Sequence, residues 1–281
     1  MQTCSSISHV QKAVKQLHSD KGNVGFVPTM GALHEGHLSL IERSRKENDL
    51  TIASIFVNPI QFNNKKDLQL YPRPIEQDLK LLESTGCDIV FTPSVEELYA
   101  DAPVVKMNFG LLEKVMEGKY REDHFNGVGI IVSKLFNIIR PSRAYFGQKD
   151  LQQLTIIQQM VKDLSFGIEI IGCPVVRESN GLAMSSRNIR IKSEHKIFSG
   201  FIYESLNQTK ELLYNKTVEE ARQEIKSSFS SKPAFQLESL EVVTLKDLQP
   251  AESLKDGQNY GICIAAYLGE VRLIDNIIFT Y

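Results

Sequence analysis

The chain has 281 residues, and at roughly 150 residues per domain it holds one large domain or two modest ones, with core enough to fold without disulfides or a structural metal. Hydrophobic residues at 42%, charged residues at 23% and only 17 Gly and 10 Pro exclude collagen-like, coiled-coil and disordered chains. The 32 basic and 34 acidic residues leave a net charge of −2, without the cationic surplus that nucleic acid demands, and no stretch approaches the ~18 apolar residues of a membrane span. Nucleic acid and membrane therefore drop out as partners. Four scattered cysteines, Cys4, Cys87, Cys173 and Cys263, read as reduced thiols of a cytoplasmic protein.

In chain order, Val10, Val14 and Leu17 stand at helical spacing behind Ser8, the expected N-cap, and the pattern stops at Gly22. Residues 24–27 predict a short buried strand, Leu38, Leu40 and Ile41 a helix to about Glu47, and the near-continuous apolar run 50–57 a central parallel strand. The alternation recurs. Ile75, Leu79 and Leu82 mark a helix, 89–91 a strand, 132–139 a helix, 144–146 a strand, 151–161 a helix and 168–176 a strand. Five strands alternating with helices predict a doubly wound, Rossmann-like α/β domain over 1–176. A smaller α+β domain over 177–281 follows. It has an amphipathic helix through Val218, Ala221, Ile225 and Phe229, a polar linker at 227–232, and antiparallel strands at 237–243, 262–266 and 271–274 separated by Gly257, Gly261 and Gly269.

Ligands of doubly wound sheets bind beyond the carboxyl ends of the strands. The first strand runs into Pro28-Thr29-Met30-Gly31-Ala32-Leu33-His34-Glu35-Gly36-His37. Two glycines allow close backbone approach, the next helix offers N–H groups and its positive end to an anion, and His34 and His37 share one face of its first turn. A Walker-type loop is excluded, since His37 and Leu38 stand where it requires Lys and Ser or Thr. A zinc site lacks a third ligand, and a lone histidine in the first turn of the helix, bonded to a carbonyl, is the bland alternative. Beyond the second strand, Asn58, Pro59 and Gln61 place neutral amides; beyond the fourth, Gly147-Gln148-Lys149-Asp150 opens another helix. Taken alone, each also reads as ordinary solvated surface.

The run from Gly25 to Leu38 resembles the pantothenate synthetase family, the pantoate and β-alanine ligases, and its His34-Glu35-Gly36-His37 resembles the His-x-Gly-His signature of the wider nucleotidylyl transferase superfamily. Four later segments are similar in the same order. They are Phe56-Val57-Asn58-Pro59-Ile60-Gln61-Phe62, Tyr71-Pro72-Arg73, Tyr145-Phe146-Gly147-Gln148-Lys149-Asp150 with Gln153, and Val176-Arg177-Glu178 through Met184-Ser185-Ser186-Arg187-Asn188. Arg272-Leu273-Ile274-Asp275-Asn276 is similar near the C-terminus.

The resemblance implies an ATP-dependent ligase that joins (R)-pantoate to β-alanine through a pantoyl adenylate, releasing AMP and pyrophosphate in the biosynthesis of a coenzyme A precursor. It implies ATP contacts at Met30, Gly31, Ala32, Leu33, His34, Glu35, Gly36, His37, Gly147, Gln148, Lys149, Asp150, Val176, Met184, Ser185, Ser186 and Arg187. Gln61 and Gln153 would hold pantoate, Gln61 would also meet β-alanine, and His37, His34, Lys149 and Arg187 would carry the catalysis. ATP enters with Mg²⁺, to which no protein ligand is assigned. The expected protein is a cytoplasmic homodimer, with 1–176 binding ATP and pantoate and 177–281 covering the active site.

Met184-Ser185-Ser186-Arg187 stands where the superfamily carries its Lys-Met-Ser-Lys-Ser loop, with Ala183 and Arg187 in place of lysines; a Ser-rich linker is the plain alternative. Two features depart from the family. Asn63-Asn64-Lys65-Lys66-Asp67 is more basic than usual, and Gln77 replaces a carboxylate in Glu76-Gln77-Asp78. His124 is shared with the family and reads as structural. Two rival readings remain: a nucleotidyl transferase acting on a phosphorylated acceptor, which calls for a basic pocket, and a non-catalytic nucleotide-binding module.

Overall fold

The computed structural model describes residues 1–17 and 22–281. The elements run β1 (Gln2–Cys4), α1 (Ile7–Leu17), β2 (Val24–Thr29), α2 (Glu35–Glu47), β3 (Leu50–Ile55), α3 (Lys65–Leu70), α4 (Ile75–Ser84), β4 (Ile89–Phe91) and α5 (Val95–Leu98). After them come α6 (Met116–Tyr120), α7 (His124–Ile139), β5 (Arg143–Gly147), α8 (Leu151–Asp163) and β6 (Glu169–Cys173). The C-terminal part holds α9 (Ser193–Lys196), α10 (Phe201–Leu212), α11 (Val218–Ser230), β7 (Phe235–Thr244), β8 (Asn259–Leu268) and β9 (Val271–Thr280). Two compact units result. The first takes Met1–Phe109, Arg121–Gln148 and Gln153–Pro174; the second takes Gly110–Tyr120, Lys149–Gln152 and Val175–Tyr281.

In the first unit six parallel strands lie in the order β1-β4-β3-β2-β5-β6. Their side chains alternate between two apolar layers. Phe26, Ile52, Ile89 and Ala144 pack with α1 and α7 residues such as Val10 and Phe136, while Val27, Ala53, Val90 and Tyr145 pack with Ile41 and Leu82 of α2 and α4. Burial on both faces is why these strands read as unbroken apolar runs. From β2 the order steps outward through β3 and β4, then restarts on the other side with β5, so the topological switch falls between β2 and β5. The sheet opens there. β2 pairs with β3 along all six residues, but with β5 only at Gly25–Arg143 and Phe26–Ala144, so the carboxyl ends of β2 and β5 leave the sheet unpaired with one another.

The second unit is an antiparallel sheet, β7-β8-β9, backed by α10 and α11 around Leu206, Ile225, Phe229, Ile262 and Leu273. The doubly wound domain followed by a smaller α+β part is the architecture expected from the sequence.

Local expectations are corrected in several places. A sixth strand, β1, pairs with β4; of its three residues only Cys4 is buried, too little for a pattern. The first helix starts one residue before Ser8, and Ser6 Oγ accepts the His9 N–H at 3.3 Å. The strand expected over 168–176 ends at Cys173, ahead of Pro174, which has no N–H to donate. The linker expected at 227–232 is the last turn of α11 through Ser230, held by buried Phe229. Gly261 lies inside β8. Helix α10 escaped the periodicity because buried Ser205 and Thr209 occupy its inner face, each bonding the carbonyl four residues back at 2.7 Å.

Candidate active site

Leaving β2, the chain must turn sharply to enter α2, and Gly31 and Ala32 do so at φ of +79° and +50°. A buried carboxylate holds this turn. Asp78 of α4 accepts the Ala32 N–H at 2.8 Å and the Leu33 N–H at 2.7 Å, and Thr29 Oγ1 accepts Gly31 N–H at 3.2 Å. A side chain on Gly31 would come within 2.9 Å of Asp78 Oδ2. Burial raises the Asp78 pKa above the ordinary carboxylate range, opposed by the two N–H bonds.

His34 is the N-cap of α2. Its Nδ1 accepts Gly36 N–H at 3.1 Å, and His37 Nδ1 faces His34 N–H at 3.4 Å, a reciprocal capping box built from imidazoles. The rings sit 4.1 Å apart between centroids, both half-buried. Because both Nδ1 atoms accept, each neutral ring carries its proton on Nε2. Of the N–H groups at the helix start, those of Gly36, His37 and Leu38 donate within the turn.

Gln61 is buried, which removes the surface-loop reading. Tyr99 OH donates to Asn58 Oδ1 at 3.0 Å, and Asn58 Nδ2 donates to Gly127 O and to Gln61 Oε1, both at 3.1 Å. Burial raises the Tyr99 pKa, so it stays a donor. With its oxygen taken by Asn58, Gln61 donates from its amide nitrogen to Met30 Sδ at 3.1 Å. His124 is buried at the start of α7 and donates from Nδ1 to Gln61 O at 2.8 Å. Close approach of α7 needs Gly127, where a Cβ would fall 2.6 Å from Ile60 O. Gln153 is half-buried in the first turn of α8, Gly147 ends β5, and Gln148 opens the 3-10 turn that follows.

The remaining expected residues lie in the second unit. Lys149 Nζ contacts Asp150 Oδ1 at 3.1 Å. Met184 N–H bonds Val176 O at 2.9 Å, Ser185 Oγ accepts Arg187 N–H at 3.2 Å, and Ser186 is buried. Asn188 donates to Glu178 Oε1 at 2.9 Å and to Ala183 O at 3.1 Å. The segment is a braced loop and not a linker. Among the described residues no trio of His, Cys, Asp or Glu could hold a metal ion, and Asp78 and Asp150 direct their oxygens at N–H donors. These residues do not fit a resident magnesium site.

The family profile described as Pantoate-beta-alanine ligase matches residues 2–278. The chain belongs to this family. It is thereby an enzyme, a ligase of pantothenate biosynthesis. The chain is 46% identical over 278 residues to the pantothenate synthetase of Cytophaga hutchinsonii, covering 97% of this chain and 98% of that one. The crystal structure of pantothenate synthetase from Thermus thermophilus superposes with a TM-score of 0.90 at 40% identity, covering 99% of both chains. The pantoate-beta-alanine ligase of Francisella tularensis, whose structure is a complex with beta-gamma ATP and beta-alanine, gives a TM-score of 0.83 at 36% identity, covering 99% of this chain and 97% of that one.

Within this ligase fold, sequence reasoning missed the groups that support the site. Asp78 lies 46 residues from the Ala32 amide that it accepts, and no local spacing announces that bond. His124 carried a signal, a shared histidine at a helix start, but its partner is a backbone carbonyl 63 residues away.

Proposed function

We propose that the chain joins (R)-pantoate to β-alanine in two steps, at the cost of ATP. In the first, a pantoate carboxylate oxygen attacks the α-phosphorus of Mg–ATP in line; the P–O bond to the β-phosphate bridge breaks, giving pantoyl adenylate and pyrophosphate. In the second, the β-alanine amine attacks the acyl carbonyl and expels AMP, leaving pantothenate after loss of one ammonium proton. No nucleophilic side chain is needed. The protein positions its substrates and offsets charge.

The observation that carries this reading is the imidazole pair at the start of α2. With both Nδ1 atoms engaged, His34 and His37 offer Nε2–H donors, and the resemblance assigns them to the phosphates, with His37 as proton donor. Gln61 supports the acid substrate: a neutral donor binds a carboxylate without quenching its nucleophilicity, and the weakly accepting Met30 sulfur yields readily to an oxygen. Gln153 completes pantoate binding by resemblance, as Lys149 and Arg187 complete the phosphate contacts and residues 30–37, 147–150, 176 and 184–187 the ATP site. Magnesium arrives with ATP. The complex of the Francisella relative with a β-γ ATP and β-alanine supports both substrates. Residues 1–176 as the ATP- and pantoate-binding part, residues 177–281 as its cover, a homodimer, and a cytoplasmic setting suited to four buried free thiols belong to the same proposal.

ATP–pyrophosphate exchange against a panel of acids is the test. Exchange that requires pantoate and precedes any need for β-alanine is the expected result. Exchange with a phosphorylated acceptor instead, or with no acid tested, overturns the reading.

A further inference from the structure

Two adjacent residues near the end of the chain have no role in the reaction as derived above. Asp275 and Asn276 are consecutive on β9, so their side chains leave opposite faces of the sheet, yet both are buried, 3% and 2% exposed. Two neighbouring buried polar side chains on a strand must each find partners, and both find them in the loops singled out for phosphate.

Asn276 Nδ2 donates to Lys149 O at 2.9 Å. Asp275 grips the Arg177 guanidinium with both oxygens at 2.5 and 3.0 Å, and its Oδ1 also accepts Asn276 N–H at 2.7 Å. Arg177 lies 3.8 Å over the Tyr203 ring and donates to Gly181 O at 3.0 Å. Arg177 and Ala183 pair as an antiparallel bridge at the neck of the segment that leads into Met184-Ser185-Ser186-Arg187.

From this geometry we infer that Asp275 and Asn276 are positioning residues: a strut on β9 that fixes the Lys149 turn on one side and, through Arg177, the Ser185–Arg187 loop on the other. The inference rests on the phosphate roles proposed above. A bidentate carboxylate–guanidinium pair fixes direction as well as distance, and the Asn276 bond sets the backbone from which the Lys149 ammonium reaches. Small displacements of such groups are costly when catalysis depends on placement.

The isosteric variant Asn276→Asp removes the donor to Lys149 O. The KM for ATP should rise about tenfold, with KM for pantoate and for β-alanine staying within about twofold. Hydrogen–deuterium exchange of amides in 149–152 should quicken, and Asp275→Asn should do the same for 181–188. Ile277→Val on the same strand should change none of these.

Parallel rises in all three KM values with a falling melting temperature overturn the inference, as does unchanged amide exchange in both loops. Should Asn276→Asp not fold, Asn276→Ala deletes the donor without adding charge and is read identically. A parent chain lacking pantoate-dependent exchange refutes the proposed function; the amide-exchange arm still decides the strut.

Discussion

The residues proposed for the site are braced by different means within each unit. In the first, the His34–His37 turn is held by hydrogen bonds to backbone N–H groups, with the carboxyl of Asp78 as a fully buried partner. In the second, the bracing is ionic: Arg177 with Asp275, and Arg272 between Glu117 and Glu238. A turn growing out of a central parallel strand already has rigid flanks, so orienting a few amides suffices. The loop at 176–188 does not grow out of such a strand, and the guanidinium of its own Arg177 reaches Asp275 on β9 to hold it. The contrast predicts that changes at the His34–His37 turn act on activity, and that breaking the Arg272 cluster acts on the stability of the second unit.

The largest effect is expected at His37. His37→Ala should lower pantoate-dependent exchange by about 10²- to 10³-fold, and His37→Gln should lose a similar factor while keeping an acceptor for the His34 N–H. Near-normal exchange in His37→Gln, beside a crippled alanine variant, would reduce the histidine to a cap.

Next comes Arg272, which donates to Glu117 at 2.7 and 2.8 Å and also binds Glu238. Arg272→Met strands two half-buried carboxylates and should cost about 3 kcal/mol in denaturant unfolding. Adding Glu117→Gln should restore part of that loss; no recovery would mean that packing, rather than charge, holds the cluster.

The smallest effect is expected at Asp78. Asp78→Asn turns an amide NH₂ toward one of two backbone N–H groups and should cost ~1–3 kcal/mol at neutral pH. The sign of its pH dependence follows from the raised pKa. Between about pH 4, the unfolded value, and the higher folded value, the native state holds more protons than the unfolded one, so the Asp78 contribution weakens as pH rises through that window. Asp78→Asn should lack this slope. Unfolding curves across the window check it, and parallel slopes for parent and variant would show that Asp78 ionises as an exposed carboxylate does.

The strand–helix alternation was legible because parallel strands buried on both faces leave unbroken apolar runs, as at 50–55 and 89–91. β1 and α10 were not: one has three residues, and the other buries hydroxyls where the pattern calls for aliphatic side chains. The site residues were legible as motifs following strand ends. Their supports, Asp78, His124 and the Asp275–Asn276 pair, were not, since each acts on a backbone group or loop far away in the chain.

Composition and periodicity by themselves determined a doubly wound domain followed by a smaller α+β part, and placed His34, Gln61 and Lys149 just beyond strand ends, since both rest on local spacing. Only the tertiary structure decided that β2 and β5 part beyond Phe26 and Ala144, and that the Ala32, Leu33, Gly36, His37 and Leu38 amides are bonded within the protein. A backbone N–H takes whichever acceptor folding brings within about 3 Å, and at the Ala32 and Leu33 turn that acceptor is Asp78, more than forty residues away.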